Sequence, residues 1–182
     1  MNSPETTAKQ NILILPALEN KAIAVQIAFL ASAAFILPSL AHAFALPTRS
    51  LLPMHWPVIL AGLCYGWRSG LAIGIAAPIL SFLLSGMPPV FILPAMTVEL
   101  AAYGLLAGLA RQNLGLNTFA AAAISIIGGR VVFLATILAL GTLTTGFATY
   151  LQTSMLPGVP AMIAQLILLP LAANWWVGRE KQ

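Results

Sequence analysis

The chain is 182 residues long, 60% hydrophobic and only 7% charged, with a mean hydropathy of +0.96. Ordinary soluble domains carry about 25% charged residues, and no soluble core of this size could hide so much apolar surface, so the solvent is lipid. The formal charge of +4 is scattered, which excludes a basic stripe for nucleic acid, and a single cysteine, Cys64, excludes an internal disulfide or a cysteine zinc cluster.

In chain order, a polar N-terminal tail covers residues 1–20, a membrane domain residues 21–177 and a short C-terminal tail residues 178–182. The run Ala22–Leu37 after Lys21, with AHAFA at 41–45, imitates a secretory signal. Glu5 and Glu19 cancel Lys9 and Lys21 ahead of it, so the run reads instead as a retained first helix over about 21–40, loosened near Pro38. Further apolar runs cover 54–67, 70–86, 91–110, 117–143 and 156–177. The first of these would make roughly 21 Å of helix against a ~30 Å hydrocarbon core. It is either a short second span or the start of one long helix over 54–86.

The positive-inside rule chooses between them. With six crossings and a cytoplasmic N-terminus, Lys9, Lys21, Arg68, Arg111, Arg179 and Lys181 lie inside, and Arg49 lies outside. With one crossing over 54–86, Arg111, Arg179 and Lys181 move outside. The expectation is therefore an all-α polytopic protein of six transmembrane helices in the cell's inner (cytoplasmic) membrane, with both termini cytoplasmic. The second span would run from Trp56 at the outer interface to Tyr65 and Trp67 at the inner one, with Arg68 in the turn. A helix so short must be wrapped by neighbours, and small residues four apart (Gly62 with Gly66, Gly70 with Gly74, Gly104 with Gly108) permit that.

Charged residues within a span cost at least ~2.5–3.5 kcal/mol and so require a partner or a task. Counted from the cytoplasmic helix ends, Glu99, Arg130 and Gln165 all sit about 18–20 Å up, on three successive helices. Tyr103 shares the face of Glu99, while Gly104 and Gly108 point the other way. Two readings stand: a structural Glu99–Arg130 ion pair with Gln165 satisfying leftover donors, or the floor of a polar pocket open to the outside. Above that level lie His42, Arg49, His55, Trp56, Thr144, Thr145, Tyr150 and Gln152. Each histidine alone reads as an interfacial loop residue. Together, with no acid in the outer loops, they would suit a neutral or anionic aromatic solute. Cys64 reads as buried packing.

No GxxxxGK[ST], HExxH or GxSxG motif occurs. The expectation is no catalysis, no metal and no cofactor held by this chain. Six short helices are also few for a stand-alone secondary transporter built of inverted repeats.

The stretches LPMHWPVILAGLCYGWRSGLAIGIAAPILSFLLSGMPP and PAMTVELAAYGLLAGLAR resemble the substrate-binding (S) components of energy-coupling factor (ECF) transporters. Met54–Pro57, Gly66–Gly70, Gly86–Pro89 and Glu99–Gly108 match best, and the likeness covers about residues 20–177. The resemblance implies an S-component-like bundle that captures a vitamin or vitamin precursor at its outer face. It also implies a partner module of one transmembrane coupling protein and two ATPases, which use the ATP. Site residues are expected among Glu99, Arg130, Gln165, Tyr103, His55, Trp56, Arg49 and His42, and a docking face on the first helix at Ala24, Ala28 and Ser32. The alternatives are a ligand-free membrane scaffold resembling the cell-shape protein MreD, an intramembrane enzyme, and a solitary cobalamin-type S component using Cys64.

Overall fold

The computed structural model describes residues 14–45, 48–141 and 146–180, with the side chains of Thr48 and Arg49 outside that set. Lys9, Thr144, Thr145 and Lys181 also lie outside the described residues. In chain order the helices are α1 (Asn20–Ala43), the single turn α2 (Thr48–Leu51), α3 (His55–Tyr65), α4 (Trp67–Ser85), α5 (Leu93–Gln112), α6 (Thr118–Ala139) and α7 (Phe147–Glu180). Among the described residues there is no strand. Five helices (α1 and α4 to α7) are long and apolar enough to cross a membrane, and α3 is a shorter apolar helix of eleven residues, about 16 Å long.

Local chemistry explains the irregularities. Residues Ser32–Ile36 of α1 widen into a π turn. Pro38 has no N–H to return to the preceding turn, so the ladder opens just upstream of it, where the sequence led us to expect loosening. The α3–α4 reversal falls at Gly66, with φ 87° and ψ −179°, a conformation that side-chain-bearing residues avoid. The turn therefore sits ahead of Arg68, which occupies the first turn of α4 with its guanidinium over the Trp67 ring. Between α5 and α6, Arg111 Nη1 donates to the Leu116 carbonyl at 2.8 Å, and Asn117 caps α6 by accepting from the Ala120 N–H at 2.8 Å.

Nine of the eleven residues of α3 are buried, and the helix packs against α1, α4, α5, α6 and α7. Glycines make that density possible. A Cβ on Gly62 would meet the Gly104 carbonyl, one on Gly70 would meet the Gly104 backbone, and one on Gly108 would meet Trp67. Backbone therefore lies on backbone where the α3–α4 hairpin crosses α5, the close approach that dispersion forces need in lipid. The opposite surfaces carry exposed Ile75, Ile79 and Leu83 on α4, Ile127 and Val131 on α6, and Ile163 and Leu171 on α7. They form the apolar belt that lipid solvates.

One end of the bundle gathers Arg68, Arg111 and Arg179. There Lys21 Nζ pairs with Glu180 at 2.7 Å, Trp176 Nε1 donates to the Tyr65 hydroxyl at 3.0 Å, and Thr118 Oγ1 meets Asn174 Oδ1 at 2.9 Å. The start of α1, the end of α7 and the α3–α4 and α5–α6 turns thus meet at one end. Such an arrangement needs an even number of traverses, so α3 counts as one and the bundle has six. Residues 14–19, read from sequence as the end of a polar tail, also pack here: the Leu15 N–H donates to the Cys64 carbonyl at 2.7 Å, and Leu15 is buried. The other end carries His42, α2, the 87–92 connection and the irregular start of α7, where Tyr150 packs on Ala95, Phe133 and Ile137.

The glycine crossing is testable. Gly104→Leu should abolish monodisperse elution in detergent, since overpacking by several methylenes against backbone leaves nothing able to yield. Gly178→Ala, which meets no atom within 4 Å, should elute and unfold as the parent does.

Candidate functional site

The short α3 delivers His55, its first residue, into the bundle, where two faces of α5 and α6 meet it. Glu99 and Tyr103 stand one turn apart on α5, and both are buried. Arg130 on α6 donates from Nη1 to Glu99 Oε1 at 2.9 Å. The same oxygen lies 3.6 Å from His55 Nε2. The His55 and Tyr103 rings meet edge-on with centroids 4.9 Å apart, and Tyr103 in turn fills the space over Gly129 of α6. The Tyr103 carbonyl accepts from Ser125 Oγ at 2.7 Å, which locks α6 to α5 at that level. Four of the residues singled out by spacing are thus brought together. The ion pair expected between Glu99 and Arg130 is present.

Gln165 belongs to the inward stripe of α7, with Ala161, Leu169 and Ala173 at helical spacing, and is fully buried. Neither its amide oxygen nor its nitrogen makes a hydrogen bond within the described chain, and the same is true of His55 Nδ1. Gln165 therefore does not serve as the acceptor that completes the Glu99–Arg130 pair. A buried polar group left without a partner costs about 1–3 kcal/mol.

The remaining candidates sit nearer the end. Trp56 is half-buried and its indole N–H donates to the Leu51 carbonyl at 2.9 Å, tying α3 to α2. His42 is exposed at the end of α1. Arg49 is placed in α2, its side chain lying outside the described residues. On α1, Ala24 and Ala28 are exposed and Ser32 is half-exposed, so the small-residue face has no partner among the described residues. Cys64 is 1% exposed and lies at the arginine end, about 13 Å along α3 from His55. Among the described residues no group of three His, Cys, Asp or Glu side chains could hold a metal ion.

Between the end of α1, the turn before α3 and the α4–α5 connection lies a cavity of about 140 Å³. Met54, Met87 and Met96 line it, with Pro53, Pro88 and Pro89. Its polar lining is His55 on the inner wall, Ser81 on α4, and His42. Glu99, Arg130 and Gln165 do not reach it, so the buried pair is not the open floor of this cavity; His55 stands between the two. The sequence reading missed the methionines, Ser81 and the prolines, though GMPP (86–89) and LPMH (52–55) carried most of them in plain view. A larger hollow of about 680 Å³ lies at the arginine end, between Leu15–Leu18, Tyr65, Arg68 and Gln112.

Six apolar traverses around a buried polar core define a helical multi-pass membrane protein. The family model of the ECF transporter substrate-specific component matches residues 22–178, and the chain belongs to that family. No curated protein and no solved structure matches the chain. As an S component it is a specificity subunit of a transporter and not an enzyme.

The ion pair can be tested by a mutant cycle. Glu99→Leu should strand a buried guanidinium and Arg130→Met a buried carboxylate, each costing about 3–5 kcal/mol. The double variant should lie well above the sum of the two in a thermal-unfolding series in detergent, and strict additivity would show that the pair is not coupled.

Proposed function

We propose that this chain captures a vitamin or vitamin precursor at the outer face of the cytoplasmic membrane. It then delivers the compound inward by docking on a coupling module of one transmembrane protein and two ATPases. The observation that carries the reading is the buried Gln165 amide and His55 Nδ1, left without hydrogen-bond partners among the described residues near a neutralised Glu99–Arg130 pair. A merely structural polar core would close its own hydrogen bonds. A recognition site keeps donors and acceptors in reserve for a ligand.

Charge supports the orientation. The arginine end gathers Lys21, Arg68, Arg111 and Arg179, and the positive-inside rule assigns such an end to the cytoplasm, which leaves the histidine end facing out. Ala24 and Ala28, exposed on the arginine half of α1, with Ser32 above them, offer the small-residue face that a membrane partner can approach closely. The energy for transport must come from that partner, because the chain carries no nucleotide-binding motif.

Mass spectrometry of small molecules retained by the detergent-purified chain should find one vitamin-like compound. A ligand-free scaffold would retain none. Gln165→Leu separates the readings further. Because it removes an unpartnered buried amide, it should raise the unfolding temperature while weakening capture at least tenfold. A fall in stability with unchanged affinity would make Gln165 structural. Arg130→Ala, where it remains monodisperse, should abolish capture. Ala24→Trp should leave capture intact and stop cellular uptake of the retained compound, and normal uptake would remove α1 from the docking face.

A further inference from the structure

A docking face on α1 raises the question of what holds that helix to the bundle before a partner engages it. We propose that residues 14–18 form a releasable clasp at the arginine end, which fastens the inward face of α1 to the end of α3 and opens without unfolding the bundle. Its bearing on transport rests on the docking reading; its existence does not.

Among the described residues, the inner half of α1 is otherwise lightly held. Within Asn20–Ala31 only Ala22 is buried, and Val25, Phe29 and Leu30 pack on the core half-buried. The Phe29 ring meets that of Tyr65 edge-on with centroids 6.4 Å apart. The Lys21–Glu180 pair leaves the lysine side chain mostly exposed, a setting in which ion pairs contribute little.

The clasp adds three ties. Leu15 is buried with Cys64 and Tyr65 in the main apolar core. Its N–H donates to the Cys64 carbonyl at 2.7 Å, one of those that the end of α3 leaves without an intrahelical donor. Gln26 Nε2, on α1, donates to the Ala17 carbonyl at 2.8 Å. Pro16 biases Leu15 toward extended backbone, which keeps the segment from continuing α1 upstream, and Ala17 and Leu18 make the turn between the two.

The attachment is light enough to open by itself. Leu15 is the only fully buried residue of the five; Pro16 is exposed and Leu18 is 88% exposed. A segment with so few buried apolar contacts opens locally at far lower free energy than the core beneath it. Direction matters as well. Helical residues turn by about 100° each, so Ala22 and Gln26 stand on the side of α1 opposite Ala24 and Ala28. The clasp grips the inward face and leaves the small-residue face free. A partner that draws on Ala24 and Ala28 therefore pulls α1 against the clasp, while the glycine crossing of α3 and α4 on α5 stays as it is.

The test measures distances in the full-length chain in nanodiscs. Spin labels are attached at Ile23→Cys on α1 and Leu114→Cys between α5 and α6, both exposed sites, with Cys64→Ala removing the native thiol. This labelled parent should give one narrow distance distribution. Leu15→Ser discards the buried anchor and Gln26→Leu the tie to Ala17, and each should at least double the width of that distribution. Leu15→Met, close in volume, should keep it narrow. The unfolding temperature should match the parent's in all three, because the clasp opens apart from the bundle. An unbroadened distribution in either Leu15→Ser or Gln26→Leu would overturn the proposal. A parallel fall in unfolding temperature would do so too, since residues 14–18 would then be an ordinary part of the fold. Hydrogen exchange on the chain with its native cysteine gives a second reading, which stands even where the labelled chain does not fold. The Leu15 amide should exchange at least tenfold faster in Gln26→Leu with the α5 amides unaltered, and equal exchange would overturn the clasp. Unaltered distances would leave the docking reading standing. Broadened distances together with normal uptake in Ala24→Trp would support the clasp and remove the docking face.

Discussion

The structure depends on backbone meeting backbone where the α3–α4 hairpin lies across α5. Gly62, Gly70 and Gly74 on one side and Gly104 and Gly108 on the other give up their side chains so that the helices can approach. In lipid no hydrophobic effect gathers helices, and close contact is the main attraction available. The consequence reaches beyond packing. An eleven-residue helix cannot span a bilayer alone, but embedded among five others it no longer meets lipid along most of its length. That burial lets its first residue be a histidine set deep in the bundle. The buried histidine is thus carried by a helix too short to have stood by itself.

The polar core shows what the fold invests there. Glu99 and Arg130 neutralise one another, so the bundle carries both charges without a net field in its centre. Such a pair is a weak source of stability, because desolvating both ions offsets much of their attraction. Its use is positional. One carboxylate oxygen faces both the guanidinium and the imidazole, and the geometry of all three helices converges on that atom. Near it the chain leaves the Gln165 amide unmatched, a cost that a purely structural core of the same size would have removed by placing leucine.

Much of this was legible in the sequence, for identifiable reasons. Hydropathy and the positions of Lys and Arg fixed the number of traverses, because lipid imposes both constraints on every span. Helical rise alone placed Glu99 and Arg130 at one level, and in the structure they form an ion pair. The same arithmetic could not tell that Gln165 makes no bond with its neighbours, since hydrogen bonding depends on rotation about each helix axis. It also put the α3–α4 turn at Arg68, where charge marks the interface, when the reversal needs the positive φ that Gly66 alone supplies there. The cavity escaped notice because methionine and proline look like ordinary membrane filler in one dimension. Only the fold shows that residues 53–54, 87–89 and 96 line one space.

One helix ties the proposed docking face to the end where capture is proposed. The arginine half of α1 carries the exposed Ala24 and Ala28, and its other half contributes Pro38 and His42 to the wall of the cavity. Between the halves lies the π turn Ser32–Ile36, the one place in α1 where the hydrogen-bond ladder is already loosened. A partner that binds the first half can lower the affinity of the second for a ligand only by favouring a state in which the cavity wall stands differently. By linkage, a ligand held at that end must then bias how well the partner docks, by the same factor and in the same sense. The least buried of the long helices is therefore the one whose position both surfaces share, while the glycine-packed α3–α4–α5 core keeps His55 and its pair in place. Capture and release can differ at the wall without dismantling the polar centre, whose assembly cost is then met once, when the chain folds.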